Sequence, residues 1–185
     1  MDLETGPARL VLITGIMAAG KSTVAQALAE RFERSVHLRG DAFRRAIVNG
    51  RADMSRDATP EALAQLALRY RLMAQVADAY VEAGFTTIAQ DVVLGPMLGE
   101  VVGMFAAPVD VFVLAPSLEV VEQREQARPK TGYTGFTPAD LDISLRTETA
   151  RIGTWIDTSD QEPDETVDAI LQVLRGADPD PGQLR

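Results

Sequence analysis

A short apolar run followed at once by a glycine-rich turn limits most strongly what this chain can fold into. Residues 10–13 are Leu-Val-Leu-Ile, as expected for a strand covered on both faces, and residues 15–22, Gly-Ile-Met-Ala-Ala-Gly-Lys-Ser, match G-x-x-x-x-G-K-[ST]. In such a loop the backbone N–H groups wrap a phosphate chain, and the following helix points its positive end at the anion. The lysine reaches the β- and γ-phosphates, and the serine hydroxyl binds Mg²⁺. The predicted nucleotide-binding residues are Gly15, Ala18, Ala19, Gly20, Lys21, Ser22 and Thr23, with Lys21 also catalytic.

Apolar, strand-length runs alternate with helical patterns along almost the whole chain. A long amphipathic helix is predicted from Thr59 to Gly84, because Thr59-Pro60-Glu61 combines an N-cap, a first-turn proline and an early acid. This alternation is typical of an α/β fold with a five-stranded parallel sheet and helices on both faces. The predicted strands are 10–13, 36–38, 85–89, 109–114 and 155–156; the other predicted helices are 21–32, 117–127, one starting at Thr137, and 164–174.

The length of 185 residues suits one domain of this kind. We expect that domain to span residues 1–176, with residues 177–185 forming a flexible tail. The N-terminus carries Asp2 and Glu4 and does not look like a signal peptide. No apolar run approaches the roughly 18 residues that a membrane span needs. We therefore expect a cytoplasmic protein without a membrane partner.

Composition excludes several kinds of site. The chain has no cysteine and one histidine, which excludes thiol nucleophiles, disulfides and multi-histidine metal sites. The 27 acidic residues outnumber the 18 basic ones, for a net charge of −9, and we therefore expect no nucleic-acid partner. Among the basic residues 16 are arginines and only two are lysines, Lys21 and Lys130.

The lack of other motifs separates this chain from most nucleotide-binding classes. A GTPase would need an N-K-x-D motif, and neither lysine follows an asparagine. A transporter-type ATPase would need a second signature loop, which the sequence does not show. An AAA-type motor would need paired acids after an apolar strand and a helical lid domain, whereas the third predicted strand is followed by the single acid Asp91 and the chain has no room for the extra domain. The remaining class is the small kinase, in which one domain binds the nucleotide and the acceptor. We expect ATP or GTP with Mg²⁺ as cofactors, a small-molecule hydroxyl acceptor, and a monomer or homodimer.

Asp41, directly after the second predicted strand, is the candidate general base. The carboxyl ends of parallel strands meet at the nucleotide crevice, and a carboxylate there can orient and deprotonate an attacking hydroxyl. The alternative is a helix N-cap. Arg44, three residues later, is a candidate for acceptor binding. Together with Arg45 it could bind an anionic acceptor; the alternative is that both arginines are solvated on an exposed helix face.

Asp91 ends the third predicted strand and is a candidate ligand of Mg²⁺ together with Ser22. Acceptor binding and capping of the turn toward Gly95 are alternatives for Asp91. Gln90 is expected in the same crevice as a further acceptor-binding residue.

Arg124 and Arg128 lie four residues apart on one face of a predicted helix, and Lys130 follows them. Cations there would neutralise charge on the β- and γ-phosphates, so both arginines are candidate catalytic residues and Arg124 also a nucleotide-binding one. The glycines nearby would suit a small lid over about residues 124–151. The alternative is a solvated helix face paired with neighbouring glutamates.

With these residues in place, the chain resembles the P-loop small-molecule kinases, in particular the group that contains chloramphenicol phosphotransferase. The resemblance covers roughly residues 10–174 and rests on the phosphate loop, Asp41, Asp91, the Arg124/Arg128 region and residues 155–159. It implies a P-loop kinase fold in which ATP phosphorylates a substrate hydroxyl. It also implies that Asp41 is the base, that Arg124 and Arg128 contact phosphates, and that the acceptor is an antibiotic.

A second similarity points to metabolic kinases. Residues 39–44, Arg-Gly-Asp-Ala-Phe-Arg, are similar to the D-G-D-x-x-R segment of adenylylsulfate kinases, and gluconate-type kinases share the architecture. Arg39 stands where that segment has its first aspartate, which argues against adenylylsulfate as acceptor. A metabolic small-molecule kinase is the alternative within enzymes. A non-catalytic nucleotide-binding regulatory module is the alternative from another class.

Overall fold

Five parallel strands form one sheet in the computed structural model, which describes residue 4, residues 6–127 and residues 135–176. The strands are β1 (Leu10–Thr14), β2 (Ser35–Arg39), β3 (Thr86–Gln90), β4 (Val109–Leu114) and β5 (Thr154–Ile156). Their order across the sheet is β2-β3-β1-β4-β5, and every neighbouring pair is parallel. The predicted α/β fold is confirmed, and each predicted strand lies within one residue of its observed bounds.

The described residues also form seven α-helices and a π-helical turn at Ser144–Glu148. The helices are α1 (Lys21–Ala29), α2 (Asp41–Arg45), α3 (Pro60–Glu82), α4 (Met97–Val102), α5 (Leu118–Gln126), α6 (Pro138–Ile143) and α7 (Pro163–Gly176). The short helices α2 and α4 were not predicted as elements. α1 ends three residues earlier than predicted, because the N–H groups of Arg31 and Phe32 turn back to the carbonyls three residues before them.

The expected capping residues start two of the helices. The side chain of Thr59 accepts a hydrogen bond from the N–H of Ala62 at 3.2 Å, and Pro60 occupies the first turn of α3. Thr137 and Asp140 form the predicted reciprocal capping box of α6. Among the described residues, no helix has the length and apolarity that a membrane span requires.

The sheet register brings the loops that carry the candidate residues to one edge. β1 and β3 are buried at every position, and Gln90 at the end of β3 is in register with Ile13 and with Arg39. The backbone N–H of Asp91 donates to the carbonyl of Ile13 at 3.3 Å. The chain therefore leaves β1, β2 and β3 side by side at the carboxyl edge.

Candidate functional site

The phosphate loop between β1 and α1 adopts a conformation that depends on its glycines. Gly15 has φ +143°, and a β-carbon there would collide with the backbone oxygen of Leu114 in β4. Gly20, which precedes α1, has φ +97°, a region that L residues rarely adopt. The loop turns through a hydrogen bond from the N–H of Ala19 to the carbonyl of Ile16 at 3.2 Å. These features give a strand–loop–helix turn shaped as the sequence motif requires.

Lys21 lies under this loop at the start of α1. Lys21 is only 8% exposed, and its Nζ donates to the carbonyl of Ile16 at 2.8 Å, so the ammonium is held against the loop backbone. Ser22 and Thr23 are exposed in the same first turn, which contains no acidic residue. The positive end of α1 is therefore not offset by a carboxylate within its first turn.

Asp41 stands where the chain turns from β2 into α2, beside the end of β3. The N–H of Gly40 donates to the carbonyl of Gln90 at 3.1 Å, and a β-carbon at Gly40 would collide with the carboxylate of Asp91. The residue preceding α2 is Gly40, and Asp41 lies within its first turn, so the N-cap alternative does not describe Asp41. The absence of a side chain at Gly40 lets two aspartates from neighbouring strand ends approach the same corner.

Three arginines surround the carboxylate of Asp41. Nε of Arg44 donates to it at 3.1 Å and Nε of Arg45 at 2.5 Å, while a terminal nitrogen of Arg69 lies 3.9 Å away. Burial raises the pKa of Asp41, but the hydrogen bond from Arg44 and the charges of Arg45 and Arg69 outweigh it and hold the pKa below its ordinary value. Asp41 is therefore ionised at neutral pH.

Asp91 is held by Arg69 of α3. Its side chain is 1% exposed, Nε of Arg69 donates to one carboxylate oxygen at 2.6 Å, and a terminal nitrogen of Arg69 pairs with the other. The N–H of Val92 donates to the second oxygen at 2.6 Å. Gln90, the preceding residue, is also buried. This bidentate ion pair joins the middle of α3 to the end of β3, next to Asp41.

Arg124 lies in the last turn of α5 and points to the segment after β5. Its terminal nitrogen donates to the carbonyl of Thr158 at 2.9 Å. The predicted partners Arg128 and Lys130 lie outside the described residues, as do all of residues 128–134 of the predicted lid. Of that lid, the structure describes α6 and the π-helical turn, in which Arg146 donates to Asp142 and to the carbonyl of Pro116.

Residues 10–145 match the family AAA_33, described as an AAA domain. The chain belongs to this AAA domain family. The match spans the phosphate loop, Asp41, Asp91 and Arg124, and the family is a P-loop kinase-like domain. No curated protein matches this AAA domain by sequence.

Solved structures that resemble this AAA domain include two kinases and a resistance protein. A sugar kinase from Janibacter sp. HTCC2649 is 22% identical with a TM-score of 0.68, over 92% of this chain and 96% of that one. An APS kinase from Mycobacterium tuberculosis, in complex with AMPPNP and APS, is 18% identical with a TM-score of 0.66, over 92% and 99%. A tunicamycin resistance protein from Deinococcus radiodurans is also 18% identical with a TM-score of 0.66, over 90% and 95%. These likenesses show a shared fold.

The donor set of the AAA domain fits a magnesium ion held largely by nucleotide and water. Within residues 6–127 and 135–176, no group of three or more histidine, cysteine or acidic side chains could hold a metal ion. Mg²⁺ in nucleotide sites needs few protein ligands, because phosphates and waters supply the rest. The exposed hydroxyl of Ser22 fits such a role. Asp91 fits it less well, because both of its oxygens already bind Arg69.

Arg69 is the residue of this corner that the sequence reasoning missed. It lies three residues after Leu66 and four before Met73, on the apolar stripe that predicted α3. A charged residue on such a stripe is expected to need a buried partner, and this was the available signal. The identity of that partner depended on α3 packing against β3, which the local pattern does not reveal.

Proposed function

We propose that this protein transfers the γ-phosphoryl group of ATP to a hydroxyl group of a small molecule. The observation that carries the proposal is the placement of Asp41, an ionised carboxylate, at the same sheet edge as the phosphate loop. The strand ends of an open parallel sheet are where nucleotides and acceptors bind in such folds.

The nucleotide would bind in the loop after β1. Backbone N–H groups from Gly15 to Thr23, including those of Ala18, Ala19 and Gly20, would hold the phosphates. Nζ of Lys21 would exchange the carbonyl of Ile16 for the β- and γ-phosphates, and Ser22 would bind Mg²⁺, which neutralises phosphate charge. GTP remains an alternative donor. Arg124 and Arg128 are proposed to approach the phosphates from the lid side, over about residues 124–151.

Asp41 would orient the acceptor. Its carboxylate would accept a hydrogen bond from the acceptor hydroxyl and take the proton as the oxygen bonds to the γ-phosphorus. The bond to the bridging oxygen breaks at the same time and ADP leaves. Because its arginine neighbours lower the pKa of Asp41, we expect mainly orientation early in the step and proton transfer late.

The acceptor proposed first is an antibiotic, as the resemblance to the chloramphenicol phosphotransferase group implies. The fold shared with a tunicamycin resistance protein is compatible with that setting. The second candidate is a metabolic small molecule of the sugar-acid type, which the arginines around Asp41 favour because they would attract a negatively charged acceptor. Arg44, Gln90 and Asp91 are proposed to line the acceptor side.

The remaining proposals concern the whole molecule. We propose that residues 1–176 form one kinase domain with residues 177–185 as a tail, and that the protein works in the cytoplasm as a monomer or homodimer. We also propose that it needs neither a nucleic-acid partner nor a membrane.

A phosphoryl-transfer screen tests the function directly. The protein is incubated with Mg²⁺ and γ-labelled ATP or GTP against antibiotics, nucleosides and sugar acids, and label in the acceptor is measured. We expect a labelled product that Lys21→Ala abolishes. Binding of ATP–Mg²⁺ with no labelled product from any acceptor would instead favour the non-catalytic regulatory module.

A further inference from the structure

Arg44 joins the candidate base to a second carboxylate. Its Nε donates to Asp41 at 3.1 Å, and one of its terminal nitrogens pairs with Asp53. Asp53 also lies 3.8 Å from Nε of Arg51. One guanidinium therefore separates the two carboxylates, and the oxygen atoms that it bridges lie roughly 5–8 Å apart, the width of a guanidinium with a hydrogen bond on each side.

Asp53 comes from the irregular segment between α2 and α3, residues 46–59. Gln65 of α3 holds this segment, because it accepts from the N–H of Ala52 at 2.9 Å and donates to the carbonyl of Gly50 at 2.8 Å. The side chain of Asp53 is 54% exposed, in contrast to the buried Asp91. Replacing the carboxylate of an exposed ion pair by another anion costs little free energy, whereas breaking a buried ion pair costs much more.

The charges of this corner favour an anion. Four arginines, Arg44, Arg45, Arg51 and Arg69, face three aspartates, Asp41, Asp53 and Asp91. The excess is positive in a chain whose net charge is −9. If Asp53 moved away, four cations would face two anions, and an incoming oxyanion would restore the present balance.

We propose that Asp53 occupies the place of an oxyanion on the acceptor. In the complex, a carboxylate or phosphate of the acceptor would bind Arg44 and Arg51 in place of Asp53, while a hydroxyl several bonds away meets Asp41. This inference rests on the proposed function and, of its two acceptor candidates, favours the second: small hydroxylated acids or phosphate esters. Planar guanidinium groups suit both oxyanions, because they can donate two parallel hydrogen bonds.

The test measures anion binding by calorimetry on the full chain, with the phosphate loop saturated by AMPPNP and Mg²⁺. The probes are D-gluconate, its neutral twin sorbitol, and inorganic phosphate; the first and last distinguish carboxylate from phosphate recognition. We expect gluconate or phosphate to bind more tightly than sorbitol. Asp53→Asn removes the internal competitor and should tighten anion binding roughly two- to fivefold, as expected for loss of an exposed ion pair.

Three further variants make the result specific. Asp168 of α7 forms an exposed ion pair with Arg31, so Asp168→Asn removes the same charge elsewhere and should leave anion affinity unchanged. Arg44→Gln should weaken anion binding about tenfold or more, since a charge-assisted hydrogen bond is lost. Because Arg44 also contacts Asp41, Arg44→Lys serves as a second variant that keeps the charge, and it should retain part of the affinity.

The inference would be overturned if the Asp53→Asn and Asp168→Asn proteins bound the anions with equal affinity. It would also be overturned if sorbitol bound as tightly as both gluconate and phosphate. Failure of AMPPNP to bind would count against the proposed function alone. The same titrations would then be run without nucleotide on a Lys21→Ala background, where the phosphate loop competes less for anions, and their outcome decides the oxyanion site by itself.

Discussion

Replacing Arg69 by methionine would leave Asp91 as a charge without a partner at the end of β3. The carboxylate of Asp91 is 1% exposed and the side chain of Arg69 is 14% exposed, so the pair is removed from most of the solvent. Breaking a buried ion pair by deleting one partner typically costs about 3–5 kcal/mol, because the remaining charge is stranded. Since the N–H of Val92 still donates to Asp91, we expect the lower end, about 3 kcal/mol.

The assay is urea unfolding at 25 °C, supported by thermal unfolding. For a chain of this size, a loss of that magnitude corresponds to a fall in Tm of roughly 6–12 °C. Asp91→Asn added to Arg69→Met removes the stranded charge, so the double variant should be more stable than Arg69→Met by about 1–3 kcal/mol. The control is Asp168→Asn, which opens an exposed ion pair and should cost less than about 1 kcal/mol.

Two results would refute this reasoning. A loss below about 1 kcal/mol in Arg69→Met would mean that the pair contributes no more than a surface ion pair. A double variant no more stable than Arg69→Met would show that the stranded carboxylate is not the source of the loss. Either result would remove Arg69 as the residue that fixes the corner where Asp41 lies.

Three further predictions concern the same corner. Asp41→Asn should lower turnover about 10²- to 10⁴-fold in the phosphoryl-transfer assay with AMPPNP affinity unchanged, and retained turnover would contradict the base assignment. Because its arginine neighbours hold the pKa of Asp41 below its ordinary value, the carboxylate stays charged and the rate should not fall between pH 8 and about 5; a fall centred near pH 6 would contradict this. Gly40→Ala should lower the free energy of unfolding in urea by about 1–3 kcal/mol, because the new β-carbon would meet the Asp91 carboxylate. Gly103→Ala, where a β-carbon would make only ordinary contacts, should change that free energy little, and equal losses in the two variants would contradict the close packing at Gly40.

Local patterns were sufficient to predict the strands, the long helices and the phosphate loop. β1 and β4 are apolar runs beside glycine or proline, and α3 and α6 start at the cap residues that their sequences offer. The helices α2 and α4 have five and six residues, too few for a helical period to repeat. Their existence depends on what they pack against, which a single sequence does not display.

The candidate site was predictable where one strand end carries it and not where two distant elements build it. Asp41 and Asp91 were identified because each follows a predicted strand. The closeness of the two aspartates was not predicted, because it depends on β2 lying beside β3 and on Gly40 leaving space for the carboxylate of Asp91. Arg69 is 22 positions from Asp91 along the chain, and the ion pair forms only when α3 packs on β3.

A lysine lies at the phosphate loop, whereas arginines lie at the corner formed by Asp41 and Asp91. Lys21 is the only lysine among the residues that the structure describes, and it lies under the phosphate loop, where a compact ammonium on a flexible stem can follow a phosphate. The corner around Asp41 and Asp91 uses arginines, and the bidentate pairing of Arg69 with Asp91 requires the planar fork that lysine lacks. If Arg69 stabilises the corner through the geometry of its two hydrogen bonds to Asp91, Arg69→Lys should lose most of the free energy of unfolding that Arg69→Met loses, although it keeps the charge. A charge-only role would instead make the lysine variant nearly as stable as the parent protein.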